Sequence, residues 1–180
     1  MRILLDHDGV LADLHTGWLH LHNLDNPGDT IHPDQVTRWA IHEFVRIGHR
    51  IYDYLHRVDL YHHVPVIPGS REGVQALLDA GHELILLTAA ANKGAMIDSK
   101  ITWLRKEFPM LDPRNFVFTD NKGIFKADLM LDDGPHNLEV FDGLQLMMDA
   151  PHNHDEQRFI RVKDWTEVLS FCTRAGILGE

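Results

Sequence analysis

The sequence is poor in cysteine and has no long apolar run. Cys172 is the only cysteine among 180 residues, so no disulfide can form within the chain, which fits a reducing compartment. Cys172 lies in an apolar helical stretch, where we expect it to pack. No apolar segment approaches the roughly 18–20 residues that span a bilayer, and the start of the chain lacks the apolar stretch of a signal peptide. These absences predict a cytoplasmic protein with no membrane partner.

Basic residues are also scarce. The chain has 17 Lys and Arg against 27 Asp and Glu, which gives a formal net charge of −10. An acidic surface repels polyanions, so a nucleic-acid polymer is excluded as the main partner. A small phosphate ester remains compatible, because a lysine and a bound cation can invert the field inside a cleft. The composition is compatible with a homodimer.

Short apolar runs alternate with helical patterns, which indicates a parallel sheet covered on both faces. The predicted strands are 2–5, 83–88, 115–118, 128–131 and 144–148, and the predicted helices are 14–24, 33–56, 70–80, 96–108 and 165–175. Residues 14–66 contain no convincing strand. We therefore predict an α/β fold, a doubly wound, Rossmann-like parallel sheet formed by residues 1–13 and 67–180, with a small helical cap, 14–66, inserted after the first strand.

Polar residues stand where four of these strands end. In a doubly wound sheet the carboxyl ends of the strands meet at one crevice, where ligands bind. Clustered carboxylates repel each other and stay ionised only around a cation, and oxygen ligands of this kind suit Mg²⁺. The residues concerned are Asp6 with Asp8, Thr88, Asp120, and Asp132 with Asp133.

The segment Asp6-His7-Asp8-Gly9 carries a specific chemistry. Residues two apart in an extended segment point the same way, so both carboxylates can face one reacting group. One can attack phosphorus while the other gives a proton to the leaving oxygen and later takes one from water. Gly9 permits a sharp exit from the strand. Taken alone, the pattern is equally typical of two solvated acids before a turn.

Three segments together resemble the haloacid dehalogenase-like (HAD) superfamily of phosphohydrolases: DHDGVLAD, LLT ending at Thr88, and LMLDDGP. The second Asp of the first segment favours a phosphatase, since the dehalogenases of that superfamily lack it. Within the superfamily, five segments resemble the 5'(3')-deoxyribonucleotidases. They are DGVLAD, KITWLRKEF, the run from TDNK to KADLMLDD, MMDAPHN and the late DW-x-EVL. This similarity covers nearly the whole chain and is weakest in the insertion.

The resemblance implies a magnesium-dependent phosphomonoester hydrolase that acts through an aspartyl-phosphate and dephosphorylates deoxyribonucleoside 5'(3')-monophosphates. It implies that Asp6 is the nucleophile and Asp8 the acid and base. Thr88, Lys100 and Lys122 would bind the phosphate. Asp6, the Asp8 carbonyl and Asp133 would bind Mg²⁺, with Asp132 supporting them. Two features depart from the family. His7 replaces a residue that is usually apolar, and Ala89-Ala90 after Thr88 removes a second hydroxyl donor.

The inserted segment is rich in aromatic residues, which could form an apolar slot for a nucleobase or simply the core of the cap. The candidates for a substrate pocket are Trp18, Trp39, Phe44 and Tyr61. The paired histidines His20/His22 and His62/His63 lack nearby ligands at zinc-site spacing, so we expect no zinc site there.

Two other functions remain as alternatives. One is a phosphatase of the same superfamily that acts on a sugar phosphate or another small phosphomonoester. The other is a receiver-type signalling domain, which also combines clustered acids, a Thr and a Lys on a doubly wound sheet. A receiver domain would lack both the helical insertion and the DxD pair.

Overall fold

A parallel sheet lies at the centre of the computed structural model, which describes residues 1–89 and 94–179. Its six strands are β1 Arg2–Leu5, β2 Glu83–Thr88, β3 Phe116–Phe118, β4 Leu129–Asp132, β5 Leu144–Met148 and β6 Ile160–Val162. They are arranged in the order β3-β2-β1-β4-β5-β6, and every pairing is parallel. The chain winds outward from β1 in both directions, which places the ligand-binding crevice of such sheets at the carboxyl end of β1.

The apolar runs of the sequence form strands because both of their faces are buried. In β1, Ile3 and Leu5 belong to the larger core cluster, whereas Leu4 faces the smaller cluster on the opposite side of the sheet. Alternate residues of a strand point to opposite faces, so a strand covered on both sides must be apolar throughout.

Five α-helices are described: α1 Leu14–Asp25, α2 Ser70–Asp79, α3 Ala95–Glu107, α4 Pro135–Glu139 and α5 Trp165–Arg174. Residues of α2, α3 and α5 pack in the larger cluster, and Leu138 of α4 packs in the smaller one. The Trp165 indole donates to the Val10 carbonyl (2.9 Å) and so ties α5 to the loop after β1. The predicted α/β class and the doubly wound sheet are confirmed.

The chain leaves the sheet domain before residue 14 and returns to it after residue 66, and these two points lie side by side. The Asp13 N–H donates to the Pro65 carbonyl (2.9 Å), and the Ile67 N–H donates to the Leu11 carbonyl (2.8 Å). Between these points the chain forms α1 and then four 3₁₀ segments: Pro33–Gln35, Ile41–Glu43, Gly48–His56 and Leu60–His62. Trp18 and Ile51 of this segment join the same core cluster as Ile3 and Leu5, so the inserted segment packs directly on the sheet domain.

The structure differs from the sequence predictions in one predicted helix and in two elements that were not predicted. The predicted helix 33–56 is wrong, because this stretch forms three 3₁₀ segments separated by residues 36–40 and 44–47. β6 and α4 were not predicted, since three and five residues are too short for a periodic pattern to be recognised. No helix in the described part of the chain is long and apolar enough to cross a membrane. A cytoplasmic location and a homodimer stay predictions.

Candidate active site

Three carboxylates meet at the carboxyl ends of the neighbouring strands β1 and β4. Asp6 directly follows β1 and donates its N–H to the Leu131 carbonyl (3.0 Å), Asp132 ends β4, and Asp133 follows it. All three residues are buried, and one oxygen from each lies within 4.8 Å of the others. Asp120, the remaining acid at a predicted strand end, is exposed.

Lys122 is buried among these acids. Its Nζ lies 2.9 Å from Asp6 Oδ1 and 2.6 Å from Asp132 Oδ2. The other oxygen of Asp132, Oδ1, accepts from the Gly134 N–H (2.8 Å) and from Asn137 Nδ2 (3.0 Å). Both Asp132 oxygens are therefore engaged within the protein, which leaves Asp133 better suited than Asp132 to bind a metal ion.

The acid cluster holds more negative charge than one lysine offsets. Burial raises the pKa of Asp6 to about 7; Lys122 opposes this shift, while Asp132, Asp133 and Asp8 add to it by repulsion. Burial also raises the pKa of Asp132. A hard divalent cation would restore ionisation of these groups, and a set of buried carboxylate oxygens fits Mg²⁺.

Asp8 has its own set of partners. Its Oδ2 lies 2.7 Å from Lys100 Nζ, and its Oδ1 accepts from Tyr61 Oη (2.7 Å) and from His7 Nδ1 (2.8 Å). Burial opposes ionisation of this carboxyl, but Lys100 and His7 outweigh it and hold the pKa of Asp8 below its usual range. Burial lowers the pKa of His7. Because a carboxylate can only accept a hydrogen bond, Nδ1 is the ring nitrogen that donates to Asp8.

Thr88 and Lys100 lie together beside Asp8. Lys100 is fully buried in α3, and its Nζ donates to Thr88 Oγ1 (2.8 Å) and to the Ala89 carbonyl. A cation and a hydroxyl directed to one corner form a suitable phosphate contact. Of the two alanines that depart from the family pattern, Ala89 follows Thr88 directly, whereas Ala90 lies outside the described residues.

Gly9 brings the β1 loop against Asp133. Its φ is +79°, and a Cβ added at this position would lie 2.1 Å from Asp133 Oδ2. On the other side of Asp133, Nε2 of His152 lies 3.2 Å from the same oxygen, and Asn153 Nδ2 donates to the Asp133 carbonyl (2.9 Å). Burial opposes protonation of His152, but Asp133 more than compensates and raises its pKa. Asp133 is thus fixed from three sides.

The four predicted pocket residues fall into two groups. Tyr61 is buried against Asp8, and Trp39, which is 57% exposed, packs edge-on against His136 (4.7 Å between ring centroids) and His152 (5.0 Å). Trp18 and Phe44 make contacts inside segment 14–66: the Trp18 indole donates to a backbone carbonyl in the same segment (2.8 Å), and the Phe44 ring lies beneath a guanidinium at 5.3 Å. Of these four residues, Tyr61 contacts the site itself, and Trp39 contacts its rim, which is formed by His136 and His152.

Sequence reasoning missed the partners of the predicted acids. His7 was noticed only as a departure from the family, and its hydrogen bond to Asp8 was not foreseen. His152 and Asn153 lie in MMDAPHN, a segment that resembles the deoxyribonucleotidases. That these two residues approach Asp133 follows only from the fold. Of the paired histidines, His22 is buried and hydrogen-bonded to the Asp29 carbonyl (2.8 Å), which is a structural role.

Solved structures with the same architecture define the class. An HAD family hydrolase from Deinococcus radiodurans R1 aligns with a TM-score of 0.66 at 15% identity, covering 98% of this chain and 96% of that one. A haloacid dehalogenase-like family protein from Streptococcus pneumoniae aligns with a TM-score of 0.60 at 12% identity, covering 94% and 97%. The fold is that of the HAD-like hydrolases.

Sequence relatives define the family within that class. The family described as "5' nucleotidase, deoxy (Pyrimidine), cytosolic type C protein" matches residues 1–178. A 5'(3')-deoxyribonucleotidase of Bacillus subtilis (strain 168) is 37% identical over 167 residues, 92% of this chain and 95% of the relative. One from Clostridium acetobutylicum is 30% identical over 170 residues, 93% and 92% of the two chains. The chain belongs to the 5'(3')-deoxyribonucleotidase family and is a hydrolase, which confirms the resemblance. Nothing supports the receiver-type alternative.

Proposed function

We propose that the chain is a magnesium-dependent phosphatase that removes phosphate from deoxyribonucleoside 5'(3')-monophosphates through an aspartyl-phosphate on Asp6. One observation carries the proposal. At the end of the central strand, a buried carboxylate and a partly buried one, two residues apart, are each bound by a separate buried lysine, Asp6 by Lys122 and Asp8 by Lys100. This arrangement places two carboxylates and two cations at one strand end, where a nucleophile and an acid–base group can act on the same phosphate ester.

The proposed reaction has two steps. In the first, a carboxylate oxygen of Asp6 attacks phosphorus and the ester P–O bond breaks. The electron pair of that bond passes to the leaving oxygen, which takes the proton of Asp8. Asp8 must therefore enter this step protonated, against the effect of Lys100 and His7 on its pKa. In the second step, water attacks the phosphorus of the aspartyl-phosphate and gives a proton to Asp8. Inorganic phosphate leaves, and the Asp6 carboxylate is restored.

Thr88 and the two lysines would hold the phosphoryl group during these steps. Lys100 and Thr88 form one corner through their shared hydrogen bond, and Lys122 stands on the opposite side with Asp6. Positive charge and donors that are fixed before the reaction stabilise developing charge at small cost in reorganisation.

The carboxylates of Asp6 and Asp133 and the backbone carbonyl of Asp8 would hold Mg²⁺, while Asp132 would orient Lys122. When bound, the ion supplies positive charge to the phosphoryl oxygens and keeps Asp6 ionised. Activity should disappear in excess chelator and return with Mg²⁺. Full turnover after verified metal removal would contradict this role, and far better rescue by Zn²⁺ would revive the histidine alternative.

Segment 14–66 would act as a cap over this site, and residues 1–13 and 67–180 would form the catalytic core. The chain enters and leaves this segment side by side, through the hydrogen bonds that join Asp13 to Pro65 and Leu11 to Ile67. Tyr61 and Trp39 are the cap residues that contact the site and its rim, so they are the candidates for contacts with the nucleoside.

Substrate choice is tested by a turnover panel. It would compare matched 2'-deoxyribonucleoside and ribonucleoside 5'- and 3'-monophosphates with several sugar phosphates, using kcat/KM as the measure of discrimination. Burying an unpartnered 2'-hydroxyl costs about 1–3 kcal/mol, so we expect the deoxynucleotide to be preferred by about 5- to 150-fold. Equal constants for the two nucleotide series would remove the deoxynucleotide assignment, and faster turnover of a sugar phosphate would favour the other phosphatase function.

A further inference from the structure

The two oxygens of the Asp8 carboxyl face different parts of the molecule. Oδ2 contacts Lys100 Nζ (2.7 Å), which also donates to Thr88 Oγ1, so this oxygen lies on the side of the proposed phosphate contacts. Oδ1 accepts two hydrogen bonds, from His7 Nδ1 (2.8 Å) and from Tyr61 Oη (2.7 Å). A carboxyl oxygen has two in-plane lone pairs, so these two donors occupy Oδ1 completely.

Both donors are themselves held in place. His7 is fully buried, and its ring packs edge-on against Trp103 with 5.0 Å between the ring centroids and 87° between the planes. Tyr61 is also buried, and its ring lies 5.4 Å from that of His7. His7 belongs to the core, whereas Tyr61 belongs to segment 14–66, so the two bonds to Oδ1 come from opposite sides of the proposed cap boundary.

We infer that Tyr61 is a positioning residue for Asp8. Together with His7 it holds Oδ1, so that Oδ2 is the oxygen that gives the proton to the leaving group. This inference rests on the proposed role of Asp8 as the acid of the first step. Because Tyr61 is carried by the inserted segment, the acid is fully oriented only when that segment packs against the core as it does here.

Orientation of Asp8 by Tyr61 should matter only for esters whose leaving group needs a proton. The sugar oxygen of a nucleotide leaves as a strongly basic alkoxide and needs a proton in the transition state, whereas p-nitrophenolate is a stable anion and leaves without one. General acid catalysis contributes about 10²- to 10⁴-fold where it is needed. The quantity kcat/KM covers substrate binding and the steps through phosphoryl transfer to Asp6, so it includes the acid step and excludes hydrolysis of the aspartyl-phosphate.

The test compares Tyr61→Phe with Tyr54→Phe. Tyr54 lies in the same segment, and its hydroxyl accepts a hydrogen bond from Asn26 Nδ2 (3.0 Å). Each variant would be assayed at saturating Mg²⁺ with a deoxynucleoside 5'-monophosphate and with p-nitrophenyl phosphate, and its thermal melting would be recorded. For Tyr61→Phe we expect kcat/KM to fall at least about tenfold on the nucleotide and less than about threefold on the aryl ester. Tyr54→Phe should change both by less than about threefold.

Two results would overturn the inference while leaving the phosphatase activity intact. An equal loss on both esters would mean that Tyr61 acts through packing of the cap, and no loss on either ester would mean that its hydroxyl does not orient Asp8. If the wild-type protein hydrolyses neither ester with Mg²⁺ present, the proposed function itself fails, and the inference fails with it.

Discussion

Gly9 determines how closely the loop after β1 can approach the acid cluster. Its positive φ is a conformation that residues with a Cβ rarely adopt, and the space a Cβ would need is already filled by the Asp133 carboxylate. The sequence predicted the first requirement, a sharp exit from the strand. The second depends on Asp133, which is far away in the sequence, and follows only from the fold.

Replacing Gly9 by Ala should therefore impair the metal site more than it impairs folding. Gly81→Ala is the matched control, because Gly81 has nearly the same φ, +78°, but open space around its Cα. The φ penalty, about 1–2 kcal/mol, is common to both variants and should lower their melting temperatures alike. Displacement of Asp133 is specific to Gly9→Ala and should raise the Mg²⁺ concentration for half-maximal activity at least about tenfold. The same Mg²⁺ requirement in both variants would contradict the assignment of Asp133.

The residues proposed to act in catalysis could be predicted from the sequence to different degrees. The positions of Asp6, Thr88 and Asp132 at the same end of the sheet follow from strand pattern alone, because parallel strands converge there. The two lysines required the family resemblance, since a lysine on a helix is usually solvated. The hydrogen bond from Tyr61 to Asp8 and the approach of His152 to Asp133 could not be found from sequence, because side-chain packing between distant segments decides them.

Among the elements, segment 14–66 was the least predictable from sequence. Its aromatic and apolar residues recur at helical spacing, yet after α1 the segment forms only four 3₁₀ segments joined by irregular chain. Such short turns are stabilised by packing of Ile51 and Leu60 on the core rather than by their own hydrogen-bond ladder. Five of the six strands of the sheet were predicted well, because each of these is a compact apolar run between polar residues.

Trp39 is the exposed aromatic residue of that segment nearest to the site, since it packs against His152, which in turn contacts Asp133. Trp39→Ala should lower kcat/KM for a deoxynucleotide by about 5- to 30-fold, because a flat ring beside the cleft rim can stack on a base for about 1–2 kcal/mol. Turnover of glycerol phosphate should change by less than about threefold. Leu24→Ala is the control, as Leu24 is 62% exposed in α1 of the same segment. Equal losses on both substrates would contradict a contact between Trp39 and the base.

At the scale of the whole molecule, the buried acid cluster couples stability to pH and to metal. The pKa of Asp6 is raised from 3.8 in the unfolded chain to about 7 in the folded protein. The folded state therefore binds more protons than the unfolded state between these values, and the contribution of Asp6 to stability is lost as the pH rises through about 7. Mg²⁺ should remove this penalty because it favours the ionised carboxylate.

This coupling is measured against Asp6→Asn, whose side chain stays neutral at every pH. In excess chelator, wild-type protein should lose roughly 2–3 kcal/mol of unfolding free energy relative to Asp6→Asn between pH 5 and pH 7.5. The histidines are the same in both proteins, so their contribution to the pH dependence of the unfolding free energy cancels in the comparison. Added Mg²⁺ should abolish the pH-dependent difference. A difference that does not vary with pH in chelator would show that Asp6 does not carry the excess charge of the cluster.

The central claim is that Asp6 attacks the phosphate. The most direct measurement is the turnover of a deoxynucleoside monophosphate by Asp6→Asn at saturating Mg²⁺, with thermal melting used to confirm that the variant is folded. An amide has almost the same volume as the carboxylate but cannot form the aspartyl-phosphate, so turnover should fall more than about 10²-fold. A folded variant that keeps more than about a hundredth of the wild-type rate would contradict the account.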